Sequence, residues 1–92
     1  MRLFSFSGKH KSKSLFIESK AEVPLKIMVA IGKRHIVGIG EIGDQSVTIE
    51  KTIVPFIKPP EPEEIAKELL KKLGVPQSEW EEILKTRNEL TI

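Results

Sequence analysis

Residues able to do chemistry are concentrated in two basic clusters. Lys9, His10, Lys11 and Lys13 fall together near the N-terminus, and Lys33, Arg34 and His35 follow an apolar run. Each cluster holds one of the two histidines. A histidine that activates a nucleophile needs that nucleophile and an orienting acid beside it. Here cations surround both imidazoles, and the only aspartate is Asp44. The paired carboxylates Glu63/Glu64 and Glu81/Glu82 fall on exposed positions of helix-like segments. They lack the contrasting environments that separate a general acid from a general base. The chain therefore reads as a non-enzyme with no catalytic residue.

Clustered cations neutralise phosphates. If the two clusters share one rim they form a nucleic-acid patch; otherwise each is a solvated hairpin loop. Tyrosine is absent, and the phenylalanines sit at apolar strand positions. Platforms for single-stranded bases need exposed aromatics, so nucleic acid is expected to be contacted indirectly or weakly.

Two motifs weigh little. Gly38-Ile-Gly-Glu-Ile-Gly43 matches the dinucleotide-binding glycine pattern, but that pattern must open a helix. The following residues, DQSVTIEKTIV, alternate like a strand. The C-terminal segments invite a helix-turn-helix reading, yet Ser78-Glu79-Trp80-Glu81-Glu82 is acidic where a groove-reading helix is basic or amide-rich.

Composition narrows the classes further. Ninety-two residues predict one domain. The absence of cysteine excludes disulfides, thiolate catalysis and cysteine zinc sites, and two histidines make a structural zinc improbable. No cofactor or metal is expected. The apolar stretch from Pro24 to Gly43 is broken by Lys26, Lys33, Arg34, His35 and Glu41, so no membrane span is expected, and the apolar stretch in MRLFSFSGKHK is too short for a secretory signal to be expected. Cytoplasm is the expected location. Abundant Lys, Glu and Ile with few Asn and Gln suggests a thermophilic, archaeal source.

The net charge of +2 conceals an asymmetry. Residues 1–58 hold ten Lys/Arg against five Asp/Glu, whereas residues 59–92 hold five against eight. Two surfaces with different partners would produce this pattern, as would solvated acidic helices.

The elements that must carry these residues begin as strands. Leu3–Ser7, Ser14–Ser19, Leu25–Ile31, Ile36–Ile42 and Val47–Ile57 alternate or run apolar. Gly8–Lys13, Lys20–Pro24, Gly32–His35 and Gly43–Ser46 read as turns and connections. Short strands without intervening helices predict a small antiparallel β-barrel over residues 1–58, which would hide the sheet edges. Gly38 and Gly40 would mark a bulge or barrel corner. After Lys58-Pro59-Pro60-Glu61-Pro62, residues 59–92 form a proline-rich linker and a helical hairpin. In the first helix Ile65, Ala66, Leu69, Leu70 and Leu73 share a stripe, Glu63–Lys67 and Glu68–Lys72 form i,i+4 pairs, and Gly74 caps the end. Ser78-x-x-Glu81 reads as a capping box for the second. Its apolar face carries Trp80, Ile83 and Leu84. These pack on the barrel or dock on a partner, with Trp80 the natural anchor. The expected class is α+β, mainly β: a barrel followed by two C-terminal helices.

The stretch through Leu15-Phe16-Ile17-Glu18, Val23-Pro24, Val37-Gly38-Ile39-Gly40 and Pro55-Phe56-Ile57-Lys58-Pro59 resembles the Gar subunit of archaeal H/ACA ribonucleoproteins, over about residues 8–59. The family's D-h-h-G-P turn is replaced by Ile42-Gly43-Asp44-Gln45-Ser46, and the C-terminal helices are additional. The resemblance implies a small split barrel without catalytic residues that binds a pseudouridine synthase and supports RNA-guided pseudouridylation. The expected function is thus a non-catalytic accessory subunit of a nucleic-acid-processing complex, docked on a larger catalytic subunit. An accessory subunit of an archaeal DNA polymerase, and a small barrel that binds DNA or RNA directly, remain the alternatives.

Overall fold

A computed structural model describes residues 1–12 and 21–90. The chain order is β1 (Arg2–Ser12), β2 (Ala21–Ile31), β3 (His35–Ile42), β4 (Gln45–Thr52), α1 (Pro62–Lys72), α2 (Gln77–Leu84) and β5 (Asn88–Leu90). The strands make one antiparallel sheet in the order β4-β3-β2-β1-β5. The α+β class holds. The sheet does not close into a barrel, which corrects that expectation and the barrel implied by the Gar resemblance.

The physical reason lies in what covers the apolar face. Register places Phe4, Val29, Gly38 and Ile49 in one row across the sheet, with Phe6, Ile27, Gly40 and Val47 in the next. The large side chains of these rows are buried, apart from a partly exposed Val47. Ile65, Ala66, Leu69 and Leu70 of α1 and Ile83 of α2 complete the same core. The helices supply the apolar layer that curling would otherwise provide. Among the described residues, 59–92 supply six of the fourteen buried core side chains and, through β5, a strand.

Gly38 and Gly40 are not barrel corners. A Cβ on Gly38 would lie 2.7 Å from Ile65 Cγ2, and one on Gly40 would lie 2.9 Å from Leu73 Cδ1. Their missing side chains let α1 settle onto β3. Both are covered by the helix, and Gly43 opens a hairpin turn into β4 rather than a helix. The helix-opening turn that a dinucleotide site requires is not formed there.

Other boundaries moved. Gly8–Ser12 continues β1 instead of turning, because Ala21–Leu25 pairs with it residue for residue. Ala21–Pro24 is correspondingly strand. Beyond the Leu25–Ile42 pair β2 has no β3 neighbour, which leaves room for Pro24 and its missing N–H. The Ser14–Ser19 strand lies outside the described residues. β4 stops at Thr52, since Pro55 opens a turn closed by the Ile57 N–H donating to the Val54 carbonyl at 3.3 Å.

Helix α1 starts at Pro62, with Glu63 and Glu64 in its first turn and Lys71 and Lys72 in its last, each complementing the helix dipole. Gly74 ends it at φ +78. The Gly74 N–H donates to Lys71 O at 3.1 Å and the Val75 N–H to Leu70 O at 3.0 Å, the paired bonds of a Schellman motif. The Ser78 capping box does not form: α2 begins at Gln77 after Pro76, with no side-chain cap.

Candidate nucleic-acid interface

The two basic clusters sit at opposite ends of the sheet. Lys9 pairs with Pro24, and His10 and Lys11 with Val23 and Glu22, on the two-stranded ribbon that outruns β3. Lys33, Arg34 and His35 lie at the other end of β2, in the turn into β3. At about 3.4 Å per residue the span from Pro24 to Gly32 is roughly 25 Å. The clusters do not form one rim. Lys13 lies outside the described residues.

At the Lys33 end a second loop joins the basic turn. The Ile53 N–H donates to the Arg34 carbonyl at 2.7 Å, fixing the start of the β4–α1 connection against that turn. Lys33, Arg34, His35 and Lys58 are all exposed. The nearest acid in register is Glu50, whose Oε1 lies 4.0 Å from His35 Nδ1. Lys33, Arg34 and Lys58 have no ion-pair partner among the described residues. Free cations thus outnumber acids on this end.

Phe56 projects from the same connection. Sequence reasoning put it inside a strand, but it is 108% exposed and its backbone has φ +70. Pro55 at the second turn position and a positive φ at the third make the pattern of a type II turn, where glycine is the usual third residue. The sequence signal was Pro55 itself, which favours the second turn position and cannot donate to a ladder.

The proposed docking residues of the tail are mostly structural. Ile83 is buried, and a Cβ on Gly8 would lie 2.9 Å from its Cγ1. Trp80 and Leu84 pack partly against the core, and the Trp80 indole N–H donates to the Val75 carbonyl at 2.9 Å. What remains exposed of them lines a shallow groove of about 360 Å³ with Lys67, Gln77, Glu81 and Lys85. The helices lie on the sheet, so α2 is not presented as a groove-reading helix.

Charged residues expected to pair along α1 reach across the fold instead. Glu63 bonds Arg87, and Glu68 bonds Lys51 at 2.9 Å. Arg2 bonds Glu89 at 2.7 Å. The guanidinium carbons of Arg2 and Arg87 each lie 4.9 Å from the centre of the buried Phe4 ring, within cation–π range. This cluster ties β5 and α1 to β1 and belongs to stability.

Among the described residues no group of three or more His, Asp or Glu is placed to hold a metal, and no helix is long and apolar enough to cross a membrane. No family model matches the chain. No solved structure matches it. It is 72% identical over 90 residues to "Uncharacterized protein 72" of Sulfolobus islandicus filamentous virus (isolate Iceland/Hveragerdi), covering 98% of this chain and 92% of that protein. At that identity and coverage, the chain belongs to the family of this filamentous-virus protein.

Proposed function

We propose that the protein is a non-catalytic, intracellular accessory subunit of a nucleic-acid-processing assembly, and that it contacts nucleic-acid phosphates through the end bearing Lys33, Arg34 and Lys58. One observation carries this reading: the bond from the Ile53 N–H to the Arg34 carbonyl holds two exposed, cation-bearing loops side by side. Neighbouring cations on fixed backbone neutralise adjacent phosphates and release their counterions. Direct contact suits the geometry better than the indirect role implied by the Gar resemblance, whose barrel is absent. A pseudouridine synthase or a DNA polymerase would each serve as the larger catalytic partner.

A second reading rests on the ribbon formed by Lys9–Ser12 and Ala21–Pro24, which stands clear of β3. A two-stranded ribbon fits the major groove of duplex DNA. Fluorescence anisotropy with labelled single-stranded and duplex oligonucleotides separates the two. Loss of binding in Lys33→Gln/Arg34→Gln supports the turn, whereas loss only in Lys9→Gln/Lys11→Gln supports the ribbon. Absence of binding to either oligonucleotide at low salt defeats both.

A further inference from the structure

We infer that Phe56 is a base-stacking residue, so that the ligand at the Lys33 end is single-stranded nucleic acid; this rests on the phosphate-binding role proposed above. Three observations converge on Phe56. Its ring is wholly exposed, while its neighbours Val54 and Ile57 are 52% and 64% exposed and so keep part of their surface against the protein. Its backbone is held at φ +70, a region that bulky side chains rarely occupy. Its loop is bonded to the Arg34 turn.

Glycine would satisfy this turn without strain and without exposing a ring to water. A phenylalanine there costs the free protein in both respects. Strain kept at an exposed tip marks contact chemistry rather than folding. A flat ring with open faces, on a loop that carries Lys58 and is bonded to the Arg34 turn, is the combination that binds single strands: phosphates on the cations, a base on the ring. In a duplex the bases are already stacked and offer no free face. Val54 and Ile57 on the same loop are exposed as well, but Phe56 alone is wholly so and alone offers a planar face.

The test is anisotropy with a labelled oligothymidylate and a duplex of equal length, on wild type, Phe56→Ala, Phe56→Trp, Phe56→Gly and Lys33→Gln/Arg34→Gln. Phe56→Ala and Phe56→Gly are expected to lose roughly tenfold in single-strand affinity with duplex affinity unchanged, and Phe56→Trp to retain it. Thermal melts of each variant show that the fold is intact. If Phe56→Ala binds the single strand as wild type does, or loses duplex equally, the stacking role is overturned. The phosphate-binding role survives that result if Lys33→Gln/Arg34→Gln still weakens both ligands. If wild type binds neither oligonucleotide but sediments with phosphatidylglycerol vesicles in a Phe56-dependent way, both roles are overturned in favour of a lipid surface.

Discussion

Ile65 lies so close over Gly38 that an added methyl group would stand 2.7 Å from its Cγ2. Ile65 is β-branched and fully buried, so it has little freedom to move aside. Gly38→Ala is therefore expected to destabilise the fold by about 1–3 kcal/mol, the usual range for overpacking, despite the better strand preference of alanine. Urea unfolding followed by Trp80 fluorescence measures it. A neutral or stabilising outcome would mean that α1 is not seated as described.

Phe56→Gly should act in the opposite direction. Relief of the positive φ is worth roughly 1 kcal/mol, and no buried contact is lost. A higher melting temperature is expected by calorimetry. A lower one would show that the ring has a folding role.

Thr86 extends the ladder of an edge strand with its side chain. Its hydroxyl accepts from the Ser7 N–H at 2.8 Å, and its single proton is within reach of two carbonyls, Ile83 O at 2.6 Å and Ser7 O at 3.0 Å, one of which it bonds at a time. β5 pairs with β1 only from Leu3 to Ser5, so this hydroxyl continues the pairing where β5 has ended. Thr86→Val should cost about 0.5–1.5 kcal/mol, typical of a lost hydrogen bond. It should also speed hydrogen exchange at the Ser7 amide, visible by NMR. Unchanged exchange there contradicts the pairing.

The carboxylates of the Phe4 cluster set an acid limit. Desolvation raises the Glu63 pKa, but hydrogen bonding and attraction from Arg87 overcome it, leaving the carboxyl below its ordinary value of 4.5. Glu89 is lowered chiefly by its hydrogen bond to Arg2, against partial desolvation. Depressed carboxyl pKa values contribute stability that is full above the unfolded value and is lost as pH falls through the folded one. Stability should thus be flat near neutrality and decline below about pH 4.5. In Glu63→Gln/Glu89→Gln the neutral-pH stability should be lower and the acid slope shallower, as read from urea midpoints across pH. An identical slope in the variant would place the acid sensitivity elsewhere.

Much of the architecture was legible because it followed from side-chain period and end signals. The alternation of Phe4 and Phe6, the stripe Ile65-Ala66-Leu69-Leu70, and Gly74 with Pro76 beyond it led to the observed strand, buried face and cap. Closure into a barrel was misread because an apolar sheet face does not say what covers it; the helices did, over glycines whose absent side chains resemble a bend signal. The polar run Gly8–Ser12 resembled a turn because its composition is that of one, while its extended form comes from pairing with Ala21–Leu25. For the site, Lys33, Arg34 and His35 were recognisable as a basic turn, but their separation from Lys9 depends on register. Phe56 was missed because apolar character was taken for burial, although Pro55 beside it marks a turn.

The central claim is tested most directly by the salt dependence of oligothymidylate binding. Phosphates engaged by Lys33, Arg34 and Lys58 would give log K against log salt a slope of about −2, and removing two of these cations would leave about −0.7. Wild type is expected to show the steep line and Lys33→Gln/Arg34→Gln the shallow one, with weaker binding throughout. Superimposable lines for the two proteins, or no binding by wild type at low salt, would contradict the claim.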